Sequence, residues 1–140
     1  MIRGAAGRGR EGAGAAVPDV AASVRAGVAL FNAGRFWQAH EALEVVWRQA
    51  APPERSLWQG LILAAAAMLH RERGNRHGVE VQGRAAIAKL RGPSPDGFPV
   101  ETVRFLQGLA ACVEGGGPVP LMELIEASAG GRTARQSRES

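Results

Sequence analysis

Two side chains one helical turn apart, His40 and Glu44, are the best placed in this sequence to take part in chemistry. Both lie in the segment FNAGRFWQAHEALEVVWR, residues 31–48, and their i, i+4 spacing puts them on one face of a helix. There they could contact one metal ion, because imidazole and carboxylate groups are ligands of zinc. The pattern is HExxE rather than the HExxH of zinc proteases. A third ligand must come from elsewhere, and His70 is the candidate. One hypothesis is therefore a divalent-metal site, or a metal-dependent hydrolase, built from His40, Glu44 and His70.

The expected arrangement of the helices weighs against a shared metal ion. If the Pro52-Pro53 turn makes the flanking helices antiparallel, His40 faces Ala64. His70 then lies six residues beyond Ala64, about 9 Å along the helix axis. Metal ligands lie only about 2.0–2.2 Å from their ion, so the site forms only if the helices are offset or the side chains lean together. We predict no cofactor and keep a divalent metal as the alternative.

A buried polar network around His40 is the interpretation that the sequence favours. On a helical wheel Phe36 and Trp47 share a line with His40, which places the imidazole within an apolar stripe. A buried nitrogen without a partner costs about 1–3 kcal/mol, so we expect a hydrogen bond from Glu44 or Gln59. The predicted polar cluster consists of His40, Glu41, Glu44, Arg48, Gln59, His70 and Asn75. The predicted aromatic wall around it consists of Phe36, Trp37, Trp47 and Trp58.

The elements that must position these residues are helices, since apolar residues recur at helical spacing and no stretch alternates with period two. Gly34 and Gly74 are placed to end helices in the left-handed conformation. Residues 60–69 are apolar on nearly every side, so their helix should be the central one. The predicted fold is all-α, a compact bundle of about five helices built on antiparallel helical hairpins. The predicted helices are about 20–33, 36–50, 54–73, 76–90 and 100–114, followed by a short helix at 119–128.

Two blocks of the sequence resemble a known family. FNAGRFWQAHEALEVVWR, followed by LWQGLILAAAAMLHRERGNRHG, closely resembles the small helical domain-of-unknown-function family numbered three hundred and nine. The resemblance covers about residues 26–90 and implies a compact all-α domain with no established activity. Leu63 departs from the family pattern, because many relatives have a second Gln there. The signature positions map onto Phe31, Asn32, Gly34, His40, Glu41, Glu44, Trp47, Arg48, Gln59, Gly60, His70, Gly74 and Asn75.

Charge and composition divide the 140 residues into one domain and two basic tails. Residues 1–17 and 129–140 carry the whole net charge of +4, because the body at 18–128 has 11 basic and 11 acidic residues. We predict that both tails are disordered, since they lack periodicity and are rich in small and polar residues. A neutral body lacks the basic face of a nucleic-acid-binding domain, so nucleic acid is not an expected partner.

A local excess of positive charge does occur between residues 71 and 91, where six basic residues outnumber two acidic ones. The sequence favours a solvated helix end here, because positive side chains near a helix C-terminus suit the helix dipole. The basic residues are Arg71, Arg73, Arg76, Arg84, Lys89 and Arg91.

The location expected from the sequence is the cytoplasm. No segment reads as a secretory signal, and the longest apolar run is about half of the roughly 20 residues that a membrane span needs. The single cysteine, Cys112, cannot form an internal disulfide, which fits a reducing compartment. Because it lies in an apolar helical stretch, we expect Cys112 to be a core residue.

Two functions from different classes remain open. The favoured one is a helical binding or scaffold module, with the groove between the first two hairpins as its contact surface. Its partner would be an unidentified protein or small molecule, and a homo-oligomer is compatible with the sequence. The other is the metal-binding protein or hydrolase. No serine adjoins a histidine and no phosphate-binding loop is present, so the balance is against an enzyme.

Overall fold

Five α-helices make up the part of the chain that the computed structural model describes, residues 19–125. They are α1 Val20–Asn32, α2 Phe36–Gln49, α3 Glu54–Glu72, α4 Arg76–Leu90 and α5 Val103–Gly115. The predicted all-α fold is confirmed, and the first four helices match their predicted bounds to within one residue. The tails predicted at 1–17 and 129–140 lie outside the described residues. None of the helices between residues 19 and 125 is long and apolar enough to span a membrane.

Local signals set the helix ends. Asp19 caps α1, because its carboxylate accepts a hydrogen bond from Ala22 N at 3.0 Å. Gly34 and Gly74 have φ angles of +80° and +71°, the left-handed conformation predicted for them. Such angles are strained for residues with a Cβ atom. The chain can therefore reverse direction within a few residues after α1 and again after α3.

The core forms around α3, which packs against both α2 and α4. Its small residues and those of its neighbours let the helices approach closely. In three helix pairs a side chain of one helix enters at a glycine of the other, where a Cβ atom would lie within 3 Å of it. These pairs are Leu43 at Gly27, Leu90 at Gly60 and Val113 at Gly83. Cys112 is 4% exposed and belongs to the core, as predicted.

The buried face of α2 is rotated from the predicted apolar stripe. Its fully buried positions include Ala39 and Val46, whereas His40 and Trp47 lie at the edge of the face and are half-buried. The reason is that α2 packs against both α1 and α3, so its buried arc is centred between the two neighbours. A wheel of α2 alone does not contain this information.

The predicted final helix is wrong for residues 119–125, which are not helical. Gly116, with φ of +72°, ends α5, and Pro118 and Pro120 supply no backbone N–H group to a further helix. The N–H groups of Met122 and Ile125 bond instead to Asn32 Oδ1 and Pro99 O. Residues 117–125 therefore form a non-helical segment that bonds to the end of α1 and to the loop before α5, and it is called the C-terminal strap below. Residues 126–128 of the predicted helix lie outside the described part.

The strap also explains why α5 begins at Val103 rather than near residue 100. Val100 pairs with Leu124 of the strap in an isolated antiparallel bridge. Glu101 then caps α5, because its carboxylate accepts hydrogen bonds from the N–H groups of Val103 and Arg104 at 3.1 and 2.9 Å. Tertiary pairing has replaced the first helical turn predicted from the sequence.

Candidate functional site

His40 stacks on Trp37 at the edge of α2. The ring centroids are 5.5 Å apart and the planes differ by 13°. Its Nδ1 is buried and has no hydrogen-bond partner within residues 19–125. The predicted bond from Glu44 or Gln59 to this nitrogen is therefore not formed. Glu44 pairs at 3.3 Å with Arg48, whose side chain is 64% exposed, so this pair belongs to the surface.

His70 and Asn75 belong to the turn between α3 and α4. Asn75 Nδ2 lies 3.1 Å from His70 Nδ1, and Asn75 Oδ1 accepts a hydrogen bond from Gly78 N at 3.0 Å. The imidazole covers Gly78, where a Cβ atom would be only 2.4 Å from the ring. The two residues therefore build the turn and cap α4.

The structure does not bring the three proposed metal ligands together. Among residues 19–125 no group of three His, Cys, Asp or Glu side chains is placed to hold an ion. Glu44 is turned toward Arg48 at the surface, and His70 is held over Gly78 by the α3–α4 turn. The metal hypothesis therefore has no three-ligand group to support it within residues 19–125.

The predicted aromatic wall is divided among three environments. Trp37 is 53% exposed, whereas Trp58 is buried with its ring centroid 4.7 Å from that of Phe98. Trp47 is half-buried, and the guanidinium of Arg55 lies 4.0 Å from its ring centroid. Phe36 packs instead in the core, edge-to-face with Phe31. These side chains do not enclose one common site.

A cavity of about 500 Å³ lies between the N-terminal half of α1, the end of α2, the start of α3 and the strap. Its apolar lining includes Val20, Val24, Val46, Trp58, Leu124 and Ile125. Its polar lining consists of Arg25, Gln49 and Glu54. Of the residues predicted for a site, the cavity includes only Trp58. The remaining lining residues occupy ordinary core or surface positions in the sequence, so no sequence motif indicates them.

The strap reaches this cavity because Asn32 holds it. Asn32 Nδ2 donates to Met122 O at 2.9 Å, and Asn32 Oδ1 accepts from Met122 N at 2.8 Å. An exposed ion pair of 2.6 Å joins Arg104 to Glu123 of the strap. The hydrogen bond and charge of Glu123, with the charge of Glu101, raise the pKa of Arg104. The signature position Asn32 thus positions one wall of the cavity.

Comparison with known families finds a match over part of the chain. Residues 24–81 match the family model described as a domain of unknown function, DUF309. Residues 24–81 are therefore similar to the DUF309 family. The matched DUF309 segment contains most of α1, all of α2 and α3, and the start of α4, together with His40, His70 and Asn75. No curated protein matches the chain.

The cavity combines the DUF309 segment with residues beyond it. Val24, Val46 and Trp58 come from the matched segment, whereas Leu124 and Ile125 come from the strap. The DUF309 helices alone therefore form only part of this cavity.

Proposed function

We propose that this protein is a binding module that takes a small, mostly apolar molecule with one polar group into the cavity beside the strap. The observation that carries the proposal is the cavity itself, about 500 Å³ with a largely apolar lining and three polar side chains. Pockets for small molecules commonly have volumes of about 300–1,000 Å³ and this balance of lining.

The lining suggests how such a molecule would be oriented. Val24, Val46 and Trp58 are almost completely buried, so they offer preformed apolar walls. Arg25 and Glu54 also line the cavity, and the ion pairs within residues 19–125 do not include one between them. An apolar body against the walls would leave its polar group near these side chains, which fix orientation by hydrogen bonding.

Binding of a molecule in the cavity would depend on the position of the strap, because the strap forms part of the cavity wall. Leu124 and Ile125 line the cavity, and Leu124 is held by its bridge to Val100.

We further propose a cytoplasmic location, which is supported by the single cysteine, Cys112, buried as a free thiol.

A substitution on α1 tests the proposal. Ala21 is exposed and lines the cavity, so Ala21→Phe should fill it without disturbing the core. Ala26→Phe is the matched control, because Ala26 is exposed on the same helix and does not line the cavity. The probe is anilinonaphthalene sulfonate, an apolar dye with one anionic group, titrated by fluorescence into the folded full-length chain.

We expect saturable binding of one dye molecule to the unmodified chain and to Ala26→Phe. In Ala21→Phe the dissociation constant should rise about tenfold or more, equivalent to about 1.4 kcal/mol. The circular dichroism spectra of both variants should match that of the unmodified chain, which checks that they fold. Non-saturable binding, or equal affinity in both variants, would show that the cavity is not the binding site.

A further inference from the structure

Five exposed arginines lie between the last turn of α3 and the end of α4. Arg76, Arg84 and Arg91 are exposed, and so are Arg71 and Arg73. None of the five forms an ion pair within residues 19–125, where the paired arginines are Arg48 and Arg104. The two carboxylates of the same segment, Glu72 and Glu80, are not paired with them either. We call these five arginines the α4 basic surface.

The helical period aligns part of this surface along one line. On α4 the side chains of His77, Arg84 and Arg91 fall within about 40° of one another. The exposed residues Val81 and Ala88 lie beside them and are small or apolar. From residue 76 to residue 91 the helix is about 22 Å long at 1.5 Å per residue. This is the axial length of about six base pairs of duplex DNA.

Helix stability does not account for all of these charges. Arg71 lies in the last turn of α3, where positive charge suits the helix dipole. Arg76 instead is in the first turn of α4, where it opposes the dipole and no acidic residue is present. Arg84 lies in the middle of α4 and gains nothing from either end. Binding to an anionic partner would explain the presence of both Arg76 and Arg84.

The net charge of the body is zero, but its basic and acidic residues are concentrated in different parts of the chain. Residues 71–91 contain six basic and two acidic residues, whereas the remainder of residues 19–125 contains five basic and eight acidic ones. A polyanion would therefore be attracted to one side of the domain and repelled by the rest. The net charge of the whole body averages over these regions and does not reveal the difference between them.

We propose that the α4 basic surface binds the phosphate backbone of nucleic acid without reading its sequence. Guanidinium groups match phosphate because their planar fork can donate two hydrogen bonds at once. Arg84 and Arg91, which lie on one line of α4, can contact phosphates of the same backbone. Three further arginines in residues 1–17 and three in residues 129–140 add positive charge to the full chain.

The test is a salt titration of binding by the full-length chain, followed by the anisotropy of a labelled DNA duplex of about 20 base pairs. The logarithm of the association constant should fall linearly with the logarithm of salt concentration, by about 0.9 for each phosphate contacted. Arg84→Gln combined with Arg91→Gln should reduce this slope by about 2. Arg84→Gln alone should reduce it by about 1, whereas Arg35→Gln, which removes an exposed arginine outside the α4 basic surface, should not change it.

Three results would overturn the proposal. The first is the absence of binding at low salt. The second is an unchanged slope in the double variant, which would assign binding to residues outside the α4 basic surface. The third is that polyglutamate, or vesicles containing phosphatidylserine, displace the DNA at equal concentrations of negative charge. That displacement would assign the surface to an acidic protein or to a membrane.

Discussion

The carboxamide of Asn32 pairs with the backbone of Met122 through both of its polar atoms. The Nδ2 donates to Met122 O at 2.9 Å and the Oδ1 accepts from Met122 N at 2.8 Å, although the residues are 90 positions apart. A neutral amide side chain supplies an adjacent donor and acceptor, as a backbone peptide unit does. The pair joins the end of α1 to the strap, and the strap lines the proposed ligand cavity.

Replacing Asn32 by Asp should loosen the strap. The shape is nearly unchanged, but a carboxylate oxygen replaces the donor and faces the carbonyl oxygen of Met122. We expect the free energy of unfolding in urea to fall by about 1 kcal/mol, with weaker dye binding at the cavity. The same chemical change at the exposed residue Gln38, Gln38→Glu, should stay within about 0.5 kcal/mol. Equal effects at both positions would contradict a structural role for the Asn32–Met122 pair.

Gly78→Ala should destabilise the protein although alanine favours helices. The added Cβ would lie 2.4 Å from the ring of His70, so the imidazole must move away from Asn75. We expect a loss of about 1–3 kcal/mol in urea unfolding. In the His70→Ala background the same change should cost much less, because the obstructing ring is absent. Gly115→Ala is the control, since nothing lies within 4 Å of its Cβ position. A loss at Gly78 that is independent of His70 would exclude this contact as its cause.

Arg55 should stabilise the junction of α2 and α3. Its Nη1 donates to Trp47 O at 3.2 Å and to Ala50 O at 3.4 Å, and its guanidinium lies over the Trp47 ring. We expect Arg55→Ala to lower the free energy of unfolding by about 1–2 kcal/mol. A double-mutant cycle with Trp47→Leu should give a coupling of about 0.5–1 kcal/mol for the cation–π contact. Strictly additive effects would show that this contact contributes nothing.

His40→Phe should stabilise the protein. The replacement keeps a flat ring to stack on Trp37 and removes a buried Nδ1 that has no partner within residues 19–125. Since an unpaired buried polar atom costs about 1–3 kcal/mol, we expect a gain of about 1 kcal/mol in urea unfolding. His77→Phe, at an exposed position, should change stability by about 0.5 kcal/mol or less. A marked loss in His40→Phe would mean that the imidazole has a stabilising partner. A gain would indicate that histidine is retained there for a reason other than stability.

The sequence by itself determined the helices of this protein and where most of them end. Apolar spacing, the cap at Asp19 and the left-handed glycines Gly34 and Gly74 act over a few neighbouring residues, so they can be read without the fold. The ion pair of Glu44 and Arg48 is local in the same way, because i, i+4 spacing on one helix brings the two side chains together. The DUF309 signature lies within these local elements.

Only the tertiary structure decided which of these residues meet. Packing of α2 against both α1 and α3 rotated its buried face and left His40 at the edge, where its Nδ1 lacks the predicted hydrogen bond within residues 19–125. The strap is not helical as predicted, because the backbone of Met122 bonds to the side chain of Asn32, which is distant in the sequence. The cavity joins Val24 near one end of the chain to Ile125 near the other. Periodicity is a property of neighbouring residues, whereas contacts between distant residues depend on how whole helices pack, and packing determines the site.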